Sequence, residues 1–372
     1  MHRILLLGAG KIGRAIASLL SRSGDYDVLV GDVSASTLQR LSGLPHVRTC
    51  VVDVADPQAL ALAMSERDTV ISACSYHANA GIATAALAAG ISYFDLTEDV
   101  VTTRHVRELA GRSRPGQIFM PQCGLAPGFI NIAGHHLTTG FDTLDTVRLR
   151  VGALPQFPVG ELKYNLTWST DGLINEYCNP CEVVHQGEKR EVLALEGLEH
   201  FSLDGIDYEA FNTSGGLGTV WETLAGRVRT LDYKTVRYRG HRDLFHFLVD
   251  ELGLRDHRAE LKRILERAVP ITHQDVVLVF VTVTGQRQGL LTQVTDARKI
   301  YAAEVAGEPW SAIQITTANG ICAAVDLHRC GQLPNHGFVR QEQVSLPQFL
   351  ANRFGSVYRT QAEKVGDLPL WE

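Results

Sequence analysis

The sequence predicts an α/β protein in which a doubly wound parallel sheet is joined to a second α+β domain with a large, mostly antiparallel sheet. Three observations predict this. The chain opens with a strand, a glycine-rich turn and a helix, and strands then alternate with helices as far as residue 121. From about Thr143, runs of alternating apolar and polar residues take over. A length of 372 residues is typical of two domains.

Composition and charge exclude several classes of protein. A hydrophobic content of 45% and a charged content of 20% are typical of a soluble globular protein, and the net charge of −6 argues against a nucleic-acid partner. No long apolar stretch or signal-peptide pattern occurs, so we expect a cytoplasmic protein without membrane contact. The seven cysteines indicate free thiols. Cys178 and Cys181 form a CxxC pair without a second ligand pair, so we predict no metal site and leave their role open.

The first element is a buried strand at residues 4–7 that runs directly into Gly8, Gly10 and Gly13. In a strand–turn–helix, the first glycine permits the turn, the second admits a pyrophosphate, and the third allows close packing. The helix amino terminus offers N–H groups and a positive dipole end to phosphates. We therefore predict a Rossmann-type dinucleotide site, the alternative being a glycine turn that binds no nucleotide. The predicted turn contacts are Gly8, Gly10, Lys11, Ile12 and Gly13.

Asp32 closes the second predicted strand, residues 28–32, about 20 residues after the turn. A carboxylate there accepts hydrogen bonds from a ribose 2′-OH and repels a 2′-phosphate. No Arg or Lys follows before Arg40. The sequence therefore favours NAD over NADP as cofactor.

The carboxyl ends of the next strands supply further candidates, because ligands of doubly wound sheets bind there. Predicted strands at 47–53 and 69–74 place Asp53 near the adenine and three residues near the nicotinamide end. Those three are Ser72, Ala73 and Cys74. Asp95 ends the following strand and Cys123 follows the next, so we expect both to face substrate. The alternative for each is a solvated strand end or a helix cap.

The second domain is predicted from strands at 147–151, 164–169 and 230–238, with two long strands around the turn at 285–289. Alternation at 147–151 indicates an antiparallel strand with one face in water. A small-residue helix at 312–330 is expected to return the chain to the nucleotide domain. The predicted domains are residues 1–125 with 315–372, and residues 126–314.

Several motifs carry a family resemblance. They are the N-terminal glycine turn, GLAPGFIN at 124–131, YNLTWS at 164–169, EYCNP at 176–180, WET at 221–223, RYRGH at 237–241 and the C-terminal helix. Over nearly its full length the chain resembles the saccharopine dehydrogenase-like family, and within it the branch that dehydrogenates the lysine ε-amine. The resemblance implies a Rossmann-type domain, a substrate domain and a homo-oligomer, dimer or higher.

The resemblance also implies a reaction. NAD would oxidise the ε-amine carbon of L-lysine, and hydrolysis would give ammonia and allysine, which cyclises to Δ1-piperideine-6-carboxylate. Because a lysine ε-ammonium has a pKa of about 10.4, a base must remove its proton before hydride transfer. Two alternatives stay open. One is a saccharopine-type enzyme acting on a secondary amine, and the other is a non-catalytic NAD-binding regulatory protein.

Ionisable residues in these motifs are the candidate catalytic groups. His241 titrates near neutrality and is the first choice as base, the alternative being a helix-start histidine bonded to backbone. Asp95 and Glu222 are the other two, since Glu222 lies in an apolar helical stretch where an unpartnered carboxylate is costly. The predicted substrate contacts are Arg150 and Arg239 for a carboxylate, Tyr164 and Trp168 as lining, and Cys123, which resembles a thiol near the substrate of saccharopine reductases.

Overall fold

The computed structural model describes residues 1–360 and 363, which form two compact units. Unit 1 contains Met1–Phe129 and Thr316–Val357. Unit 2 contains Ile130–Ile315 and, near the C-terminus, residues 358–360 and 363. Of the predicted nucleotide domain, residues 361–362 and 364–372 lie outside the described residues. Within the described chain, no helix is long and apolar enough to cross a membrane.

The strands are numbered in chain order. They are β1 (His2–Leu7), β2 (Tyr26–Asp32), β3 (Val47–Val51), β4 (Thr69–Ser72), β5 (Ser92–Asp95), β6 (Ile118–Met120), β7 (Thr143–Pro155), β8 (Cys181–His185), β9 (Glu188–Val192), β10 (Glu199–Leu203), β11 (Ile206–Asn212), β12 (Val228–Tyr238), β13 (Asp275–Arg287), β14 (Leu290–Tyr301), β15 (Ala303–Val305), β16 (Glu308–Trp310) and β17 (Gly337–Phe338).

The α-helices are numbered in the same way. They are α1 (Lys11–Arg22), α2 (Ala35–Gln39), α3 (Pro57–Met64), α4 (Tyr76–Ala89), α5 (Val100–Ala110), α6 (Phe129–Thr138), α7 (Thr170–Cys178), α8 (Val220–Thr223), α9 (His241–His246), α10 (Arg258–Ala268), α11 (Ala312–Arg329) and α12 (Leu346–Ala351). A π-helical turn (Phe247–Glu251) continues α9, and 3₁₀ turns occupy Gln341–Gln343 and Gly355–Tyr358.

Unit 1 is built on a parallel sheet with the strand order β17-β6-β5-β4-β1-β2-β3. The order reverses between β1 and β4, which is the position at which doubly wound sheets bind ligands. Helices pack on the sheet through a core that includes Leu5, Val70, Ile82 and Phe119. The predicted doubly wound sheet is confirmed.

Two strands of unit 1 are shorter than predicted. The strands predicted to reach residues 53 and 74 end at Val51 and Ser72. Asp53 therefore lies in a loop, where its Oδ1 accepts a hydrogen bond from the N–H of Ala55 at 2.9 Å. Cys74 lies in the connection to α4, so both side chains stand beyond the sheet edge rather than within it.

Unit 2 is built on a sheet with the order β10-β11-β12-β7-β13-β14, to which β8 and β9 are added beside β12. Neighbouring strands are antiparallel except β12 and β7, which run parallel. The predicted mostly antiparallel sheet is confirmed. One hydrophobic core joins α7, α9 and α10 through residues such as Leu173, Tyr177, Phe245 and Leu261.

Two sequence-based expectations for unit 2 are wrong. The strand predicted at 147–151 has no continuous wet face, because Arg148 is exposed but Arg150 is only 2% exposed. Residues 164–169 form no strand. They make an isolated bridge from Leu166 to Ile271, and their apolar character reflects burial rather than strand pairing.

Candidate nucleotide and substrate sites

The glycine turn after β1 is closed by two glycines that no larger residue can replace. Gly8 has φ +94°, and a Cβ there would lie 2.8 Å from the carbonyl oxygen of Ala73. A Cβ on Gly13 would lie 1.9 Å from the carbonyl oxygen of Gly8. Gly10 differs, because no atom lies within 4 Å of the position its Cβ would take. The turn is tight inside and open at Gly10.

The amino terminus of α1 faces this open position. Gly10 is the N-cap residue, and no side chain caps the helix. The first N–H groups of a helix lack intrahelical acceptors, and those at Lys11, Ile12 and Gly13 are in that position. Open space, free donors and a positive dipole end fit a dinucleotide pyrophosphate.

Asp32 joins the end of β2 to the turn. Its Oδ2 accepts the N–H of Ala9 at 2.7 Å, and its Oδ1 accepts the N–H of Ser34 at 2.8 Å. Each carboxylate oxygen has a second lone pair, so the half-buried side chain can still accept a ribose hydroxyl. Asp32 therefore helps shape the turn as well as presenting a carboxylate beside it.

The end of β4 lies directly beside the end of β1, where Leu7 is in register with Ser72. The Ser72 hydroxyl is buried and donates to Oδ1 of Asn79 at 2.7 Å. Burial raises the pKa of the Cys74 thiol to about 11. Apart from Asp53, which is exposed past β3, the predicted cofactor contacts thus gather at the ends of β1, β2 and β4.

Asp95 is buried in a hydrogen-bond network within unit 1. Its Oδ2 accepts the Tyr93 hydroxyl at 2.7 Å and Nδ2 of Asn79 at 3.3 Å. Its Oδ1 accepts the N–H groups of Thr97 at 3.0 Å and Gln122 at 2.9 Å. Burial raises its pKa against these hydrogen bonds, and the residue is 0% exposed. These contacts favour a structural role, and its catalytic role stays a prediction.

Cys123 is similarly enclosed. Its thiol lies 3.1 Å from the carbonyl oxygen of Met120, and Nε2 of Gln341 lies 3.4 Å from the sulfur. Burial raises the pKa of the thiol, which is 2% exposed. A neutral, enclosed thiol is not a reactive one. Its contact with substrate stays a prediction.

His241 begins α9 in the aromatic core of unit 2. Its Nδ1 lies 2.9 Å from the carbonyl oxygen of Leu162 and therefore carries the proton, while Nε2 lies 3.2 Å from the Tyr177 hydroxyl. Burial, aided by the charge of Arg237, lowers the pKa of His241 to about 3. Both nitrogens are occupied and the ring is 0% exposed. This matches the backbone-bonded alternative, and the catalytic role of His241 stays a prediction.

The two arginines predicted to bind a carboxylate lie in contrasting places. Arg150 forms ion pairs with Glu199 and, at 2.7 Å, with Asp232. Arg239 is exposed, and its nearest carboxylate oxygen, on Asp207, is 3.8 Å away. Arg150 therefore has its acidic partners within the sheet already, and Arg239 lies at the surface of unit 2.

The other three predicted residues also belong to unit 2. Glu222 is half-buried on the one-turn helix α8, so it is not enclosed as its apolar neighbours suggested. Trp168 is half-buried against Gly172, where a Cβ would lie 2.3 Å from its ring. Tyr164 is 2% exposed and has its ring against His241, with centroids 5.2 Å apart.

Sequence reasoning missed Arg237. Its Cζ lies 5.0 Å from the ring centroid of Tyr164 and 5.8 Å from that of Tyr177. Nη1 donates to the carbonyl oxygen of Val236 at 2.8 Å, and Nε is buried without a hydrogen-bond partner among the described residues. The one signal in the sequence is its place in the RYRGH motif at 237–241, which also contains the predicted residues Arg239 and His241.

Comparison with known families accounts for most of the chain. Residues 4–117 match the model described as "Saccharopine dehydrogenase NADP binding domain", and residues 124–354 match "Saccharopine dehydrogenase C-terminal domain".

Two curated relatives are named "Saccharopine dehydrogenase [NADP(+), L-glutamate-forming]". The protein from Schizosaccharomyces pombe is 26% identical over 282 residues, covering 70% of this chain and 60% of its own length. The protein from Saccharomyces cerevisiae is 24% identical over 282 residues, with 69% and 60% covered. The match thus spans about 60% of the length of each relative.

A solved structure shares the fold. Apo saccharopine dehydrogenase (L-Glu forming) from Saccharomyces cerevisiae gives a TM-score of 0.75 with 16% sequence identity. The match covers 96% of this chain and 96% of the solved one. At this identity the likeness concerns the fold alone.

Proposed function

Because this chain belongs to the saccharopine dehydrogenase family, we propose that it is a pyridine-nucleotide-dependent dehydrogenase that oxidises a C–N bond of an amino acid. Its substrate is the ε-amine of L-lysine and its oxidant is NAD. The products are allysine, which cyclises to Δ1-piperideine-6-carboxylate, and ammonia. The observation that carries the proposal is the uncapped amino terminus of α1 behind the Gly8–Gly13 turn, at the point where the sheet order reverses.

The residues around that turn hold the nucleotide. N–H groups at Lys11, Ile12 and Gly13 bind the pyrophosphate, and Asp32 accepts a ribose hydroxyl. Ala73 and Cys74 line the nicotinamide end beyond β4. When bound, the nucleotide supplies a ring that accepts hydride from the amine-bearing carbon.

The chain must also remove a proton from the substrate ammonium, because an ammonium carbon donates hydride poorly. Of the three predicted bases, Asp95 and His241 are both 0% exposed. Glu222 is half-buried and open in part to solvent. We therefore assign proton removal to Glu222, whose carboxylate can also deprotonate the water that attacks the iminium carbon.

The preference for NAD rests on Asp32. Its carboxylate would repel a 2′-phosphate, and the next basic residue in the chain is Arg40. The names of the curated relatives give NADP(+) as their cofactor. The nucleotide preference is therefore a separate outcome of the test.

A second candidate substrate is saccharopine, in which the lysine nitrogen is a secondary amine. The observation that favours it is the match to the two fungal relatives, whose names give this substrate and L-glutamate as a product. The same carbon, the lysine ε-carbon bound to nitrogen, would be oxidised, and the nucleotide site would be the same. The two candidates differ in the number of carboxylates that unit 2 must accommodate.

The test is absorbance at the reduced-nicotinamide wavelength in four reactions, which combine NAD or NADP with L-lysine or saccharopine. An imine-trapping aldehyde in parallel reactions detects the cyclic product. Reduced nucleotide and trapped imine with L-lysine support lysine 6-dehydrogenation. Turnover of saccharopine alone moves the assignment to the second candidate. No turnover in any reaction contradicts both and favours a regulatory nucleotide-binding protein.

A further inference from the structure

Unit 2 buries three arginines of its sheet, and they differ in what neutralises them. Arg150, Arg237 and Arg298 are 2%, 3% and 5% exposed. Arg150 forms ion pairs with Glu199 and Asp232. Arg298 forms ion pairs with Asp296 and Glu363, both at 2.8 Å. Among the described residues, no ion pair within 4.0 Å joins Arg237 to a carboxylate.

A buried guanidinium that forms no ion pair is costly, because burial removes its hydration. Burial lowers the pKa of Arg237, but electrostatic interactions with Tyr177, Tyr164 and Glu176 outweigh this and raise it. One carbonyl oxygen, from Val236, accepts a hydrogen bond from Nη1. The buried Nε has no acceptor. Among the described residues, the Nε donor of Arg237 therefore stays unused.

Two aromatic rings hold the guanidinium in place. The rings of Tyr164 and Tyr177 lie 5.0 and 5.8 Å from Cζ of Arg237, within the range of cation–π attraction. His241 contacts both tyrosine rings and hydrogen-bonds to the Tyr177 hydroxyl. Arg237 is thus immobilised before any ligand arrives, which reduces the entropy that binding must cost.

The segment that carries Tyr164 has unpartnered polar atoms of its own. The Tyr164 hydroxyl, Oδ1 of Asn165 and Oγ1 of Thr167 are buried without hydrogen-bond partners among the described residues. Thr167 and Trp168 lie close enough to the Tyr164 hydroxyl to lower its pKa against the raising effect of burial, but without hydrogen-bond geometry. Buried polar atoms are rarely left unpaired unless a ligand or water completes them.

We propose that Arg237 is the carboxylate anchor of an amino-acid binding site in unit 2, with Tyr164 as its aromatic wall. The planar guanidinium fork matches a carboxylate bidentately, and the carboxylate supplies the acceptor that the buried Nε lacks. Hydroxyl and amide oxygens on 164–167 provide acceptors for the neighbouring ammonium. This assignment rests on the proposed function for the identity of the substrate, and it replaces Arg150 and Arg239 as the anchor.

The test compares L-lysine with cadaverine, which has the same two amines and no carboxylate, as substrates of the full chain. The variants are Arg237→Gln and Arg237→Lys. The control is Arg229→Gln, an exposed arginine of the same strand that pairs with Asp145. The quantity measured is the ratio of kcat/KM for L-lysine to kcat/KM for cadaverine.

We expect a ratio of about a hundredfold or more in the wild type, since removing one member of a buried charge pair has effects of that size. Arg237→Gln collapses the ratio towards one by lowering kcat/KM for L-lysine alone, Arg237→Lys keeps part of it, and Arg229→Gln keeps all of it. An unchanged ratio in Arg237→Gln overturns the assignment and makes Arg237 a packing residue. If that variant does not fold, a wild-type ratio near one overturns it equally.

A binding measurement separates this inference from the proposed function. Should the wild type turn over neither amine, the increase in Tm with added L-lysine and cadaverine is measured instead. An increase with L-lysine that is absent with cadaverine and lost in Arg237→Gln supports the anchor although the reaction assignment fails. No increase with L-lysine overturns the anchor.

Discussion

The predicted nucleotide site of unit 1 and the surroundings of Arg237 in unit 2 are built from different parts of the chain. The first is made of backbone: Gly8, Gly10 and Gly13 shape a turn, and helix N–H groups supply the donors. The second is made of side chains from distant parts of the chain, chiefly Tyr164 and Arg237. A backbone site must be encoded within a few adjacent residues. A side-chain site needs only the right contacts after folding, so the spacing of residues in the sequence does not predict it.

The same contrast separates two buried arginines of neighbouring strands. Arg150 on β7 has acidic partners on both sides, Glu199 and Asp232, and is complete within the chain. Arg237 on β12 has aromatic rings instead. An arginine that is ion-paired within the chain contributes to folding, whereas a buried arginine without an ion pair is available to bind a ligand. Substitutions can therefore separate stability from binding.

The largest effect is expected for Arg150→Met. Arg150 and Lys234 lower the pKa of Glu199 to about 2 in spite of burial, and removal of the arginine leaves two half-buried acids, Glu199 and Asp232, undercompensated. We expect a loss of about 3–5 kcal/mol in the free energy of unfolding, measured by urea denaturation. The exposed variant Arg229→Met should change it little. A loss as small as that of the control would show that Arg150 does not stabilise the sheet.

Gly13→Ala tests the backbone site. A Cβ at 1.9 Å from the carbonyl oxygen of Gly8 forces β1 and α1 apart, and we expect a cost of about 3 kcal/mol together with loss of nucleotide binding. Gly81→Ala on α4 is the control, because its Cβ meets no atom within 4 Å. Equal stability of the two variants, measured by thermal unfolding, would disprove the close approach of turn and helix.

The pH dependence of stability tests the environment of His241. Its pKa is about 3 in the folded protein against 6.5 for an unperturbed histidine, so the unfolded chain binds a proton first as the pH falls. The stabilisation present above pH 6.5 is therefore lost between pH 6.5 and 3, by up to about 1.4 kcal/mol per pH unit. Urea denaturation of His241→Gln should show a slope shallower by that amount. Equal slopes of stability against pH in the wild type and the variant would show that His241 is protonated normally in the folded protein, which would favour it as the base.

The smallest effect is expected for Asp32→Asn. The amide keeps the shape of the carboxylate but only one of its two acceptors, so it loses the hydrogen bond from Ala9 or Ser34 as well as the charge that repels a 2′-phosphate. We expect NADH to bind about tenfold more weakly, a loss of about 1.4 kcal/mol, and NADPH to bind no worse. Fluorescence titration of both nucleotides gives the ratio of dissociation constants. A ratio equal to that of the wild type would remove Asp32 from nucleotide selection.

The sequence predicted the backbone site of unit 1 better than the side-chain contacts of unit 2. The parallel sheet, the glycine turn and Asp32 were predictable because strand, turn and helix are adjacent in the chain. The segment 164–169 was mistaken for a strand, because aromatic and β-branched residues favour strands and buried loops alike.

Arg237 was missed for a second physical reason. Residues 233–238 of β12 are all buried, and the rings that cover Arg237 come from Tyr164 and Tyr177, far away in the sequence. The acidic partners of Arg150 were likewise invisible, since Glu199 lies on β10, a strand that the sequence pattern did not reveal. Side-chain sites of this kind depend on tertiary packing that no local pattern contains.

The measurement that tests the account most directly is the dissociation constant of NADH for the wild type and for Gly10→Ala. Because a Cβ at Gly10 meets no protein atom within 4 Å, the variant should keep the Tm of the wild type. The same Cβ stands where the pyrophosphate would approach, so NADH binding should weaken at least about tenfold, or about 1.4 kcal/mol. Absence of NADH binding in the wild type, or equal affinity in the two proteins, would contradict a nucleotide site at this turn.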